Sequence, residues 1–499
     1  MAINLQNAKK VVILGGGTAG WYAALALRQI FSPKVEVQVI ESSQVGIVGV
    51  GEGGLLNFIS ALKFVNIDLA EFKAATNATH KWGFSYEGWR TGKEDDKFYH
   101  PFGSAQGVAA KWNDNGHFPL FSAMINQGID LDSYIRGMDL IKNNATQKEA
   151  DAALEAGAVD IIDSVHFDSY KTANFLKKTA LSRNITHLDA LIDQVITDEN
   201  GNVIRLITEN NEKIELDFIV DASGLARKII GKAVPARWQS FKEHLILDRA
   251  IPFYMPHPKK NPYLVSRAIA LNSGWMWQIP LTDRVGAGYV YSSRYISDED
   301  AQQELKDYLG FDVDIQKIIK FDPGCHEKIW VNNVLAIGLA AGFVEPLEAT
   351  SIAQMVEVIR NFCRILMLSQ GVISDNTVRE FNEANLHSWY GIRDFLRMHY
   401  DTPRNDTPFW QDVAKIPYPE TYRAFREVMQ YRAPRLLDIE NYAIYGWHGI
   451  FHAINWMFVA TPLGILKPNA VTNDLMSMSP EKREEADKFL LWLRSNMQK

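Results

Sequence analysis

The sequence has 499 residues, of which 47% are hydrophobic and 22% charged, a composition typical of a globular protein too large for one core. A formal net charge of −7, from 52 basic and 59 acidic residues, gives no electrostatic reason to expect nucleic acid or an anionic membrane as a partner. Cys325 and Cys363 are the only cysteines and form no CxxC pair, which argues against a disulfide framework and a zinc site; no metal is predicted.

The first predicted element is a short buried strand at residues 10–14, directly before a glycine loop. This apolar run is too short for a signal peptide, and the apolar stretch at 450–466 is too short to span a bilayer. We therefore expect a cytoplasmic protein with no membrane partner.

The glycine loop has the pattern GxGxxG and precedes a segment, 21–30, with helical periodicity. A second strand is predicted at 35–40 and ends at Glu41, where a carboxylate can bind ribose hydroxyl groups. In such a strand–turn–helix–strand unit, glycines allow a tight turn and let the backbone approach a pyrophosphate. The sequence therefore predicts a dinucleotide site at Glu41 and the loop residues Gly15, Gly16, Gly17, Thr18, Ala19 and Gly20.

Two later strand ends favour FAD over NAD as the dinucleotide. Residues 216–224 predict an apolar strand that ends in Asp-x-Ser-Gly, and residues 333–342 predict another that leads through glycine to a helix near Thr350. Three such ends, spread from residue 15 to residue 342, suit a large FAD-binding fold with insertions. Between them, residues 195–197, 203–207 and 212–220 predict a small antiparallel meander.

These elements predict an α/β protein with an FAD-binding GxGxxG fold of the glutathione-reductase/hydroxybenzoate-hydroxylase type. We expect an FAD-binding domain at 1–370, with a discontinuous core at about 8–60, 160–235 and 330–370. The substrate region would be inserted into it, at about 61–159 and 236–329. Residues 371–499 are charged, tryptophan-rich and mostly helical by pattern, which predicts a C-terminal region that caps the substrate.

The most specific motif is Trp-x-Trp-x-Ile-Pro at 275–280. On a strand, Trp275 and Trp277 would share one face and Met276 would take the other. Together with the glycine loop, this motif resembles the flavin-dependent halogenases of the tryptophan-halogenase family. The resemblance covers nearly the whole chain, because seven further motifs match in the same order, at 49–52, 79–84, 99–103, 166–168, 221–224, 343–352 and 404–410.

The resemblance implies a reaction and two catalytic residues. In this family reduced FAD, supplied by a separate reductase through diffusion, and oxygen convert a halide into hypohalous acid, which passes through the protein to an aromatic, indole-like substrate. Lys81 matches the lysine that activates hypohalous acid, by a hydrogen bond or as a haloamine. Glu348 matches the glutamate that stabilises the cationic ring and accepts its proton. The aromatic residues at 82–89 predict burial of Lys81, which lowers the pKa of an amine.

The resemblance also assigns a halide site to Thr350 and Ser351, at the start of a predicted helix. The family usually has Glu-Ser-Thr-Gly here, whereas this sequence has Glu348-Ala349-Thr350-Ser351. A serine in place of glycine changes the shape of the pocket, so chloride, bromide and iodide all stay open.

The remaining family positions divide into three groups. Trp275 and Trp277 would form a barrier between flavin and substrate. The indole pocket would be lined by His100, Phe102 and Trp456. Further cofactor contacts would come from Ser42, Val45, Val50, Glu52, Gly53, Leu191, Leu339 and Ile352.

The C-terminal region predicts selectivity against free tryptophan. In the family, tyrosines and a glutamate from this region hold the ammonium and carboxylate of tryptophan. Tyr442 and Tyr445 are present here, but residues 441–455 contain no acidic residue. Burying an unpaired ammonium costs roughly several kcal/mol, so we expect indoles, phenols and related small rings to be better substrates.

Two other functions stay open on the sequence alone. A flavin-dependent aromatic hydroxylase would share the glycine loop but generally carries a late Gly-Asp turn, where this sequence has Gly338-Leu339. A non-catalytic flavin-binding protein would need neither Lys81 nor Glu348. A homodimer is compatible with the sequence.

Overall fold

A computed structural model of the protein describes residues 3–46, 49, 51–103 and 118–497, so the predicted cofactor contact of Val50 lies outside the described residues. In the described ranges, no helix combines the length and the apolar character that crossing a lipid bilayer requires.

The strands are β1 (Ile3–Asn4), β2 (Lys10–Leu14), β3 (Glu36–Glu41), β4 (Glu52–Gly53), β5 (Thr79–Lys81), β6 (Gly83–Glu87), β7 (Lys97–Pro101), β8 (Ser164–Phe167), β9 (Thr186–Asp189), β10 (Ile192–Thr197), β11 (Val203–Thr208), β12 (Lys213–Glu215), β13 (Phe218–Asp221), β14 (Trp238–Ser240), β15 (Arg249–Met255), β16 (Ser266–Ala270), β17 (Gly274–Pro280), β18 (Val285–Tyr291), β19 (Ile319–Lys320), β20 (Gly324–His326), β21 (Trp330–Val331), β22 (Val334–Ala336), β23 (Gly342–Phe343) and β24 (Val372–Ile373). The α-helices are α1 (Thr18–Ile30), α2 (Leu56–Phe64), α3 (Leu69–Ala75), α4 (Phe118–Asn126), α5 (Met138–Lys142), α6 (Gln147–Glu155), α7 (Ser169–Leu181), α8 (Asp298–Leu309), α9 (Thr350–Ser369), α10 (Asp375–His399), α11 (Pro408–Val413), α12 (Glu420–Val428), α13 (Ala453–Ala460), α14 (Pro468–Met476) and α15 (Pro480–Met497).

A six-stranded sheet in the order β21-β22-β13-β2-β3-β9 carries the glycine loop. Its neighbouring strands are parallel, except for the antiparallel pair of β21 with β22. The ends of β2, β13 and β22 therefore lie at one edge, where the glycine loop and the two later glycine-containing turns meet. The predicted strand–turn–helix–strand unit and the FAD-binding fold are confirmed.

The two faces of this sheet are covered differently. Val11 and Ile13 of β2 belong to a core shared with α1 and α9, whereas Val12 and Leu14 pack against the meander β10–β12. The meander ends earlier than predicted, at Glu215, and residues 218–221 pair with β2 instead. Between the two sheets, the Asp217 carboxylate accepts hydrogen bonds from the backbone N–H groups of residues 9 and 10, at 2.7 and 2.8 Å.

A second, seven-stranded sheet has the order β19-β15-β18-β17-β16-β6-β7 and carries the Trp-x-Trp motif on β17. Trp275 and Trp277 belong to one core cluster and Met276 to another, which confirms the predicted alternation. Strand β6 pairs in parallel with β16, so the segment that follows Lys81 joins the same sheet as the motif.

The region after β24 is mostly helical, as predicted, and is organised around α10. This 25-residue helix begins at a Ser374 cap, whose hydroxyl accepts the Thr377 N–H at 3.1 Å. At its other end it brings His399 to Tyr86 of β6, and α13 packs close to β7. The helices thereby place polar side chains beside the seven-stranded sheet.

Candidate active site

The glycine loop is shaped to receive a phosphate group. At Gly15 the φ angle is +126° and a Cβ would lie 2.1 Å from the Ala222 carbonyl oxygen, so only glycine fits. Gly17 begins α1 without a side-chain cap, and a Cβ there would meet no atom within 4 Å. The Thr18 hydroxyl is buried and has no hydrogen-bond partner in the described part of the chain. An uncapped helix start facing open space fits the pyrophosphate of FAD.

Glu41 lies beside this loop, at the end of β3. Its Oε1 is 2.6 Å from Lys177 Nζ and 3.0 Å from His187 Nε2. A Cβ at Gly16 would lie 1.5 Å from Glu41 Oε2, so the glycine makes room for the carboxylate. The structure thus brings together the acid and the GxGxxG loop, while a contact with ribose stays a prediction.

The other predicted cofactor residues lie in segments after the strands of the parallel sheet and at the start of α9. Ser42 and Val45 follow β3, where Val45 is 68% exposed, and Leu191 follows β9. Leu339 lies in the 3₁₀ turn Gly338–Ala340, and Ile352 lies in the first turn of α9. Their contacts with FAD stay predictions.

Glu52 and Gly53 form β4, and each lies next to a different set of side chains. Burial raises the pKa of Glu52 to about 7, an effect that Asp168 strengthens and the Ser169 hydroxyl opposes. A Cβ at Gly53 would lie 2.7 Å from Lys81 Nζ. A side chain at position 53 would therefore displace the lysine amine, which gives Gly53 a reason to be glycine apart from any contact with FAD.

A cavity of about 630 Å³ lies next to this region. His100, Phe102 and Glu348 contribute to its wall, and each is at most 6% exposed. One face of α9, part of α2 and the loop at 448–451 form most of the remaining wall. The structure therefore brings two of the three predicted substrate residues and the predicted catalytic glutamate to one cavity.

Glu348 is held by three side chains that all contact its Oε1 atom. The Tyr86 hydroxyl donates a hydrogen bond to it, His100 Nδ1 lies at 2.8 Å, and His399 Nε2 lies at 3.4 Å. Although burial alone would raise it, the two histidines bring the pKa of Glu348 far below its usual range. Oε2 is buried and has no partner among the described residues. Glu348 is thus a fixed carboxylate with one free oxygen beside the cavity.

A relay of hydrogen bonds fixes the orientation of the His100 ring. The His452 backbone N–H donates to Asn455 Oδ1 at 2.7 Å, so the Asn455 amide NH₂ is directed at His100 Nε2, 2.8 Å away. His100 therefore accepts at Nε2 and donates its Nδ1 proton to Glu348.

The backbone at the start of α9 is strained. Glu348 and Ala349 have φ angles of +63° and +53°, a left-handed conformation that costs about 1–3 kcal/mol for each non-glycine residue. Ala349, at the N-cap position directly before α9, provides no side-chain cap, and the buried Thr350 hydroxyl has no partner in the described ranges. An uncapped helix start with a spare hydroxyl group suits an anion, as predicted for the halide.

Lys81 is fully buried, and its amine has no hydrogen-bond partner within the described residues. The Nζ atom lies 4.2 Å from the ring centre of Phe84 and 5.4 Å from that of Phe102. Burial lowers the pKa of Lys81 to about 7, although the charge of Glu348 opposes this change. Lys81 itself does not line the cavity; Phe102, which does, is in contact with its amine.

We expect replacement of Lys81 by methionine to stabilise the fold, because folding holds this amine at a pKa of about 7 instead of 10.5. The lower pKa in the folded state reduces the free energy of unfolding. This reduction is absent above a pH of about 10.5, the pKa in the unfolded chain, grows as the pH falls towards 7, and is complete below pH 7. Thermal unfolding of Lys81→Met should therefore occur at a higher temperature than that of the parent, with a larger difference at pH 6 than at pH 9.5.

The matched control for this measurement is Lys63→Met, which removes an exposed lysine from α2. Lys63→Met should show no comparable pH-dependent increase in the unfolding temperature. A Lys81→Met protein that is no more stable than the parent at pH 6 would contradict the unpartnered burial of the amine.

The tryptophans of β17 belong to an aromatic cluster in which the rings meet edge-on or tilted. The ring centres of Trp275 and Trp277 are 6.4 Å apart, and Trp275 lies 6.3 Å from Trp89. At Gly288, on the neighbouring strand, a Cβ would lie 2.1 Å from the Trp277 ring, so that glycine makes room for the indole. Their action as a barrier stays a prediction.

Trp456 is not part of the large cavity. It lines a second, much smaller one that shares residues 449–451 with the first, and its ring stacks on Tyr442 with centres 5.9 Å apart. Phe451 lines both cavities. A contact between Trp456 and substrate stays a prediction.

Sequence reasoning missed Tyr86, His399 and Asn455, which orient Glu348. Tyr86 could have been suspected, because it shares a strand face with Phe84, two residues from it. His399 and Asn455 gave no signal, since they reach the site only through the packing of α10 and α13.

Comparison with known proteins identifies relatives over nearly the full length. The family model described as "Tryptophan halogenase" matches residues 10–479. The chain is 40% identical to the uncharacterized protein y4xG of Sinorhizobium fredii, over 100% of this chain and 98% of that protein. It is 30% identical to the tryptophan 6-halogenase SttH of Streptomyces toxytricini, over 90% of this chain and 88% of that enzyme. The structure of BrvH, a flavin-dependent halogenase from Brevundimonas sp. BAL3, is similar, with a TM-score of 0.82, 28% identity, and coverage of 99% of this chain and 96% of that one.

Proposed function

The chain belongs to the tryptophan halogenase family and is an FADH2-dependent halogenase, and we propose that Lys81 and Glu348 carry the transfer of halogen to an indole-like ring. One observation carries this proposal. A fully buried amine without a hydrogen-bond partner among the described residues contacts Phe102, and both Phe102 and Glu348 line the same cavity. In the described part of the chain the amine forms no hydrogen bond, so it is free to bind an electrophile.

When bound, FADH2 supplies the two electrons and two protons by which oxygen, a halide ion and one further proton yield hypohalous acid and one water. The glycine loop and Glu41 would hold this cofactor, and the start of α9 would hold the halide. The family uses a separate flavin reductase, so we propose that FADH2 reaches this chain by diffusion.

Lys81 would receive the hypohalous acid and present its halogen to the ring. With a pKa of about 7, a large fraction of this amine is neutral at neutral pH. A neutral amine can form a nitrogen–halogen bond with release of water, whereas the protonated form can donate a hydrogen bond to the hypohalous oxygen. The hydrogen bond makes the halogen a stronger electrophile, whereas the nitrogen–halogen bond stores it as a longer-lived electrophile; in both cases it is held at a fixed position beside Phe102.

Glu348 would stabilise the ring while it is attacked. A carbon–halogen bond forms, the ring becomes cationic, and the carbon–hydrogen bond then breaks to restore aromaticity. The low pKa of Glu348 keeps it anionic, so its first contribution is electrostatic. Oε2, free of partners in the described ranges, can also accept the released proton, because a cationic ring is a far stronger acid than a carboxylic acid.

Product analysis tests the proposed function. Purified protein is combined with a flavin reductase, NADH, FAD, oxygen, bromide and indole, and the products are analysed by mass spectrometry. We expect a product in which one hydrogen is replaced by bromine, and none when the reductase is omitted, because the described residues offer no second dinucleotide site. A product that has gained only oxygen would indicate a hydroxylase, and reoxidation of FADH2 without a new product would indicate a non-catalytic flavoprotein.

A further inference from the structure

The outer wall of the cavity is formed by one face of α9. Ala353, Glu357, Arg360, Arg364 and Met367 all line it, at spacings of three, four and seven residues that place side chains on one face of a helix. With a rise of about 1.5 Å per residue, Arg360 lies about 10 Å and Arg364 about 16 Å along the helix from Ala353. Exposure increases in the same direction, from buried Ala353 to exposed Met367. The arginines therefore lie at the outer end of the cavity, remote from Glu348.

Among the described residues of this lining, Glu357 is the only acidic side chain apart from Glu348, and its hydrogen-bonding capacity is already used. Arg360 donates two hydrogen bonds to its carboxylate, at 2.6 and 3.0 Å. The Asn361 amide and the backbone N–H of His448 also donate to it, at 2.8 and 2.7 Å. Glu357 therefore positions Arg360 and the loop at 448, and is not available to pair with a substrate ammonium.

Arg364 is the unpaired charge of this wall. Its Nε donates to Asn361 Oδ1 at 3.3 Å, and among the described residues no carboxylate lies within 4.0 Å of its guanidinium. Since Arg360 neutralises Glu357, the outer end of the cavity carries a net positive charge. A guanidinium donates two parallel hydrogen bonds, which fits carboxylate and phosphate groups.

We infer that the substrate is an aromatic ring joined through an apolar linker to an anionic group, carboxylate or phosphate, that binds Arg364 together with Arg360. This inference rests on the proposed function, because the ring is placed beside Glu348. Val356, Cys363 and Ile450 line the cavity between the two ends and suit an apolar linker. Free tryptophan fits poorly on two counts: its carboxylate is too close to its ring to reach the arginines, and its ammonium would find Glu357 already occupied.

A substrate series tests this inference. Indole-3-acetate, indole-3-butyrate, indole-3-butyramide and the phosphate ester of 3-(indol-3-yl)propanol are compared with tryptophan. We expect kcat/KM for the butyrate to exceed that for its neutral amide by tenfold or more. The carboxylate of the acetate is too near the ring to reach the arginines, so kcat/KM for the acetate should exceed that for the butyramide by much less. Comparison of kcat/KM for the butyrate and for the phosphate ester shows whether the site prefers a carboxylate or a phosphate.

Variants connect the preference to the arginine. Arg364→Met should reduce the ratio of kcat/KM for the acid to kcat/KM for the amide at least tenfold, and Arg364→Lys should restore part of this ratio. The control Arg423→Met removes an exposed arginine of α12 and should leave the ratio unchanged. Equal kcat/KM values for acid and amide in the parent, or an unchanged ratio in Arg364→Met, would overturn the inference.

Calorimetric titration of the same acid and amide into the protein measures binding without turnover. Preferential binding of the acid without any halogenated product would contradict the proposed function and support the anionic substrate. Halogenation without preferential binding would contradict the anionic substrate alone.

Discussion

Halogenation should fall below about one hundredth of the parent rate when Lys81 is replaced by alanine, while the flavin still reoxidises and hypohalous acid is still released. The reason is position: the Lys81 amine contacts Phe102, in the cavity wall, and in the proposed mechanism it acts after the halide has been oxidised. No other amine is close to Phe102 among the described residues, so nothing replaces it. The measurement combines brominated indole, quantified by mass spectrometry, with free hypobromous acid, captured by a chemical trap in the same reaction.

The trap also protects the experiment from an artefact, because hypobromous acid that escapes can brominate indole in solution. The control Lys63→Ala should retain both the parent rate of indole bromination and the parent yield of trapped acid. If Lys81→Ala brominates indole at the parent rate while the trap is present, the assignment of Lys81 is wrong.

Replacing Glu348 by glutamine should lower the rate of halogenation roughly tenfold to a thousandfold, the range for one electrostatic or acid–base group. The change keeps the shape of the side chain but removes the negative charge that faces the cationic ring. The amide oxygen of glutamine can still accept the hydrogen bonds that Tyr86 and His100 donate to Oε1, so loss of the charge is the main change. The comparison uses single-turnover rates with a fixed amount of FADH2, so that supply of the cofactor does not limit the reaction.

Glu345→Gln is the matched control, because it makes the same change three residues away in the same motif. Glu345 is buried, accepts a hydrogen bond from Tyr400 at 2.5 Å, and burial raises its pKa to about 7. A glutamine can accept the same hydrogen bond without loss of a charge needed by the substrate, so we expect a change of less than about threefold. Equal rates for Glu348→Gln and the parent would return Glu348 to a structural role.

Much of the fold and part of the site could be predicted from the sequence, because they depend on short-range rules. The glycine loop is an example: the positive φ angle of Gly15 and the start of α1 follow from the local chain, although the close approach of Gly15 to Ala222 is a tertiary contact. The parallel arrangement then brings three distant strand ends to one edge, which the strand pattern predicts without knowledge of side-chain packing. Lys81, Glu348 and the Trp-x-Trp motif were identified by resemblance, and the alternation of Trp275 and Met276 followed from strand geometry.

The character of the site, in contrast, was decided by tertiary structure. Whether Glu348 is a strong or a weak base depends on Tyr86 and His100, which are 262 and 248 residues away along the chain, and on His399. The charge of the cavity could not be predicted from the sequence either. Residues 441–455 contain no acid, but Glu357 of α9 accepts a hydrogen bond from the backbone at 448, and Arg360 neutralises its charge. Local sequence determines backbone conformation through steric contacts between neighbours, whereas the pKa and charge of a buried group depend on distance in space, which only the packed chain defines.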